Sequence, residues 1–117
     1  METQLSKTEK KFAREIIDKG LQLEFEHAMI EVDSIITAWK KSPSGKDNRA
    51  TYHEILSFMK SHYRHLQRRY DGLRGSDYMD VVAALLAAKV ISEEEIKDFR
   101  KETRDRILRI VKLRKEL

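Results

Sequence analysis

From Lys7 to Lys41 apolar side chains return at every third or fourth position, the spacing that lines one face of an α-helix. The pattern predicts a first helix over those residues. It stops at Ser42-Pro43-Ser44-Gly45, where the proline removes a backbone donor and serine and glycine favour a turn. Inside that stretch the apolar face moves. Phe12, Ala13, Ile16 and Ile17 share one side, whereas Leu21, Phe25, Ala28, Met29, Val32, Ile35, Ile36 and Trp39 share another, with Gly20 at the changeover. Either the helix kinks at Gly20 or its two halves pack against different neighbours, one of which would be another subunit. Unbroken, about 35 residues rising roughly 1.5 Å each reach ~50 Å, a length that suits an elongated hairpin or a dimer.

Asp47 or Asn48 is placed to cap a second helix, along which Tyr52, Ile55, Leu56, Met59, Tyr63, Leu66, Tyr70 and Leu73 form an unbroken stripe. Asp71-Gly72-Leu73-Arg74-Gly75 ends it in a turn, and Ser76 is a candidate cap for a third helix over residues 77–89. Val81 to Ala88 leave that helix almost no polar side, which predicts the most buried element of the fold. Ser92-Glu93-Glu94-Glu95 has the form of a capping box with acidic residues on the positive end of the helix dipole. It predicts a fourth helix starting there, seamed by Ile96, Phe99, Thr103, Ile107 and Ile110, and running nearly to Leu117. Residues 85–95 resemble the connector of a helical hairpin, a capping signature that implies no activity. The expected fold is all-α: a single domain over residues 1–117, built as a mostly antiparallel four-helix bundle.

Composition narrows the function classes. The 117 residues are 40% hydrophobic and 38% charged with a single proline, a mix suited to helices with solvated outer faces. Cysteine is absent, which excludes a disulfide scaffold and thiolate metal sites. Neither an apolar leader nor a run long enough for a membrane span is visible, so a cytoplasmic address without membrane contact is expected. The net charge of +4 is unevenly placed. Residues 1–40 hold 6 basic and 8 acidic side chains, residues 41–75 hold 8 and 3, and residues 76–117 hold 10 and 9.

No arrangement of nucleophile and base, His-Glu-x-x-His motif or strand-borne glycine loop is present, so the chain reads as a non-enzyme without a cofactor. Ser44-Gly45-Lys46 ends like a phosphate loop but lacks the earlier glycine and the preceding strand. Glu24-x-x-His27 has the spacing of a helical metal half-site, and His62 and His65 stand three apart. Further inward carboxylates are missing, however, and Arg69 lies one turn from His65. Glu24 and His27 are therefore read as solvated, and no metal is assigned to Glu24, His27, His62 and His65. Candidates for an anion or nucleic acid are Arg64, Arg68, Arg69 and Arg74 around the second helix end, and Arg104, Arg109 and Lys112 among the basic residues of the fourth. Surplus apolar residues, Phe12 and Ile16 at one end and Leu108, Leu113 and Leu117 at the other, suggest an interface. The expected function is a small helical protein-interaction module acting as a homodimer, with a nucleic-acid-associated protein and a metal-binding bundle as alternatives.

Overall fold

The structure is a computed structural model that describes residues 5–42 and 47–116. It is all-α, with helices α1 (Lys7–Lys41), α2 (Asn48–Tyr70), α3 (Tyr78–Ala87) and α4 (Lys101–Glu116) and no strand among the described residues. The expected four helices are all present. Ser44-Gly45-Lys46, Pro43 and Leu117 lie outside the described residues. Helix α1 runs unbroken through Gly20, and the alternative packing holds: its halves belong to two compact units. One contains the chain up to Leu23 and from Gly72 onward; the other is Glu24–Asp71. Both neighbours of α1 come from the same chain, so the shift of its apolar face requires no second subunit.

In the first unit α1 begins at a capping box that the sequence reading passed over. The Glu9 amide donates to the Ser6 hydroxyl at 3.1 Å, and the Ser6 amide donates to Glu9 Oε1 at 3.2 Å. Ala13, Ile16 and Ile17 are buried, and the half-buried Phe12 meets Phe99 edge to face at 6.2 Å. The patch around Phe12 and Ile16 is therefore core and not surplus surface. Helix α3 is buried from Val81 to Leu86 and packs on α4 through Thr103, Ile107 and Val111, as expected of the most apolar helix.

Helix α3 ends in a reversal that no glycine provides. The Val90 amide donates to the Leu85 carbonyl at 2.9 Å and the Lys89 amide to that of Leu86 at 3.0 Å, with Lys89 at φ 60°. This is the Schellman arrangement, with lysine in the position that glycine usually fills.

Two expected helix starts are corrected. Ser92 does not begin α4 and its side chain caps nothing; Glu93–Ile96 forms only a 3-10 turn. The chain cannot continue as one helix, because the Arg100 amide donates to Glu9 Oε2 at 3.0 Å instead of to a carbonyl one turn back. That contact sets α4 about two turns later, at Lys101. Ser76 likewise does not cap α3. Gly75–Asp77 is a 3-10 turn in which the Asp77 carboxylate accepts from the Arg74 amide at 2.9 Å.

The second unit is an antiparallel hairpin of α1 from Glu24 onward and α2. Glu24 is level with Tyr70 near one end, and the Trp39 indole donates to the Asn48 side chain at 2.8 Å near the other. Asp47 caps α2 by accepting from the Arg49 amide at 2.9 Å.

Candidate functional site

Two features of the hairpin unit stand out, a buried polar latch and an uncovered apolar face. The latch centres on Glu24, 6% exposed, so the expectation of a solvated side chain is overturned. Glu24 faces α2 because Ala28, one turn on, is small and buried, which leaves room beneath α2 for a carboxylate. Its Oε1 accepts from Arg69 at 2.8 Å and lies 2.7 Å from His65 Nε2; its Oε2 accepts from the Tyr70 hydroxyl at 2.5 Å. Burial opposes the charge. The hydrogen bonds from Tyr70 and His65 and the Arg69 charge outweigh that penalty and lower the carboxyl's pKa, while burial and the nearby carboxylate raise that of Tyr70.

The latch brings together two of the metal candidates, Glu24 and His65, but it places the Arg69 guanidinium where a cation would need to sit. His62 neighbours His65 and Phe58, at ring distances of 6.1 and 5.8 Å, and His27 is exposed. Among the described residues no three His, Cys, Asp or Glu side chains form a metal-binding group. The arrangement fixes the register of two helices; the carboxylate's oxygens are committed to α2.

The apolar face lies beside this seam. Along α2, Leu66 is buried and Ile55 half-buried, yet Tyr52 is 67% exposed, Tyr63 61%, Met59 44% and Leu56 37%. Along α1, Ala28 is buried while Met29 is 64% and Phe25 45% exposed. The stripe that most clearly marked α2 in the sequence is thus wider than one neighbouring helix can cover. At about 100° per residue, the stripe Phe25, Met29 and Ile36 lies roughly a quarter turn from the α1 residues that face α2. Tyr52, Leu56, Met59 and Tyr63 are displaced by a similar angle in the same sense on α2. In an antiparallel pair, equal displacements of the same sense fall on the same side, so both stripes line one face of the hairpin.

The basic candidates divide into engaged and exposed groups. Arg69 is held by Glu24, and Arg104 donates to the carbonyls of Lys97 and Phe99 at 3.1 and 2.8 Å. Arg64, Arg68, Arg74, Arg109 and Lys112 are exposed. In α4 the exposed Arg109 and Lys112 share their outward side with Asp105, Glu102 and Leu108, which divides the basic surface. In the first unit a cleft of about 250 Å³ is lined by Phe12, Ile16 and Phe99 with a charged rim, where Lys19 pairs with Glu95 at 2.5 Å.

Glu9 was not among the sequence candidates. It is 3% exposed and is held by the Arg100 backbone and guanidinium and by the Ser6 amide. Burial would raise its pKa, but these donors bring it down to about 2. Ser6-x-x-Glu9 was a readable capping signal; the bond across the fold to Arg100 was not. No helix among the described residues is long and apolar enough to cross a membrane. No protein family, curated protein or solved structure matches this chain.

Proposed function

We propose that the chain is a small cytoplasmic protein-interaction module that works through the apolar face of its hairpin, and does so as a homo-oligomer. The observation that carries this reading is the contiguous exposure of Phe25, Met29, Tyr52, Leu56, Met59 and Tyr63 on one side of two helices. Each leaves on the order of 100 Å² in water. With the half-buried Val32 and Ile36 beside them the face approaches ~700 Å², above the usual ~300–600 Å² of a monomer's largest apolar patch. A buried, fully hydrogen-bonded Glu24 supports the same reading, since it fixes the two helices and so presents the face as a rigid platform.

Light scattering across a range of concentrations tests it. The expected mass is that of two chains, shifting to one chain when Met59 and Tyr63 are both replaced by serine. A wild-type chain that remains a monomer at millimolar concentration would remove the homo-oligomeric reading.

A further inference from the structure

We infer that the occupant of the hairpin's apolar face is the same face of a second copy, stacked about a two-fold axis parallel to the helices so that α1 of each copy covers α2 of the other. This inference rests on the interaction-module reading above and specifies its partner and pairing. The area fits: ~700 Å² per copy is close to the roughly 800 Å² that each side of a standard protein interface contributes. A self-complementary patch closed by a two-fold axis is also the commonest way for one chain to bury such a surface.

Charge selects between the two ways of stacking one hairpin face on another. Beyond the apolar stripe, the outer edge of α1 carries Glu26 and Asp33, and the outer edge of α2 carries Lys60 and Arg64. All four are exposed, and none has an ion pair within the chain among the described residues. Rotation about an axis parallel to the helices places the acidic edge of each copy beside the basic edge of the other. Rotation about the axis that crosses the helices in the plane of contact instead sets acidic edge on acidic edge and basic on basic. Like charges brought together in that way disfavour the second arrangement.

Register supports the same choice. Within one hairpin Glu24 is level with residues 65 to 70 and Trp39 with Asn48, so Glu26 stands close to the height of Arg64 and Asp33 within about a turn of Lys60. A rotation about an axis along the helices leaves heights unchanged. Glu26 therefore comes level with Arg64 of the second copy, and Asp33 comes within reach of its Lys60. Lys40 and Arg49 approach one another near the connecting residues and oppose the match there, with Asp47 close by to offset them. The geometry points to an intermolecular four-helix arrangement with an apolar centre and two charge-matched edges.

The absence of native cysteine makes cross-linking a clean test. Full-length Asp33→Cys and Lys60→Cys proteins are mixed and mildly oxidised, with each protein alone as control. The inference expects a covalent dimer in the mixture and little in either protein alone. Efficient linking of Asp33→Cys to itself would overturn it in favour of the crossed arrangement. A wild-type monomer would instead remove the underlying reading, so the two failures are distinguishable.

Charge reversal gives a second readout on surface positions that leave the fold intact by circular dichroism. Lys60→Glu with Arg64→Glu should raise the dimer dissociation constant roughly tenfold at low salt, because the edge pairs become repulsive on both sides. Adding Glu26→Arg and Asp33→Lys to the same chain should restore it to within about threefold. Mixing the two double variants should yield heterodimers in preference to either homodimer. A dimer whose affinity ignores all of these changes would also refute the pairing.

Discussion

The two units of this chain handle apolar surface in opposite ways. In the first, α3 is enclosed from Val81 to Leu86, and Leu85 and Ile107 have no measurable exposure. In the second, the seam between two helices is closed by a carboxylate, a guanidinium, an imidazole and a phenol, while Met29, Tyr52 and Tyr63 are each more than half exposed. Three segments surround a core in the first unit. Two helices in the second share only one seam, so any apolar stripe broader than that seam is left in water. Stability and the proposed interaction thus fall to different residues, and substitutions can separate them.

The largest separation is expected between the centres of the two apolar sets. Leu85→Ala or Ile107→Ala should lower the unfolding free energy by about 3–4 kcal/mol, since each leaves a cavity in a closed core. Met59→Ser or Tyr63→Ser, measured where the chain is dilute enough to be monomeric, should change it by less than ~0.5 kcal/mol while weakening self-association. Urea denaturation of all four proteins checks the contrast. Equal losses in both sets would mean that the exposed face is part of the core.

The latch gives the next effect. Glu24→Ala leaves Arg69 and Tyr70 without their acceptor in a partly buried seam, and should cost about 2–3 kcal/mol. Tyr70→Phe, which removes one donor only, should cost about 1 kcal/mol. If Glu24→Ala were neutral, the hairpin would be held by its apolar contacts and the latch would contribute nothing to register.

How much of this was readable before folding follows the same division. The helices were legible because residues such as Ile55, Leu66, Ile107 and Val82 recur at helical spacing whichever neighbour they meet. Periodicity cannot tell which part of a broad stripe faces the neighbour. Leu66 and Tyr63 look alike in sequence, but one is buried and the other is in solvent. Glu24 was misread for the converse reason: a carboxylate off the apolar stripe looks solvated until Arg69 and Tyr70 are placed opposite it by the antiparallel pairing of α1 and α2. Ser92 misled because a capping signature reports local preference, whereas the contact of Glu9 with the Arg100 amide, 91 positions apart, decides where α4 begins.

Acid distinguishes the units again. Glu9 and Glu24 both ionise more readily in the folded chain than their ordinary values would allow, so the unfolded chain binds more protons as the pH falls. The stability they supply is complete above the unfolded carboxyl value near 4.5; the Glu9 share then declines until it is spent at about 2. Glu9→Gln should flatten the loss of stability across that range, as read from thermal melts at successive pH values, and Glu24→Gln should likewise reduce the loss below the unfolded carboxyl value. A wild-type chain whose melting temperature does not fall between pH 5 and pH 2 would contradict both assignments.

The smallest expected effect is a gain, and it falls in the unit already well packed. Lys89 holds φ 60° at the end of α3, a backbone region that costs a side chain roughly 1–2 kcal/mol and glycine almost nothing. Its side chain is exposed and makes no ion pair among the described residues, so shortening it removes no contact. Glycine also makes the unfolded chain more flexible, which returns part of the benefit. Lys89→Gly should therefore stabilise the fold by about 0.5–1 kcal/mol, raising the melting temperature by a few degrees in calorimetry. The converse change after the end of α2, Gly72→Ala at φ 69°, should have the opposite sign although nothing lies within 4 Å of the added methyl. If both substitutions moved the melting temperature in the same direction, backbone handedness would not be what sets these two helix ends.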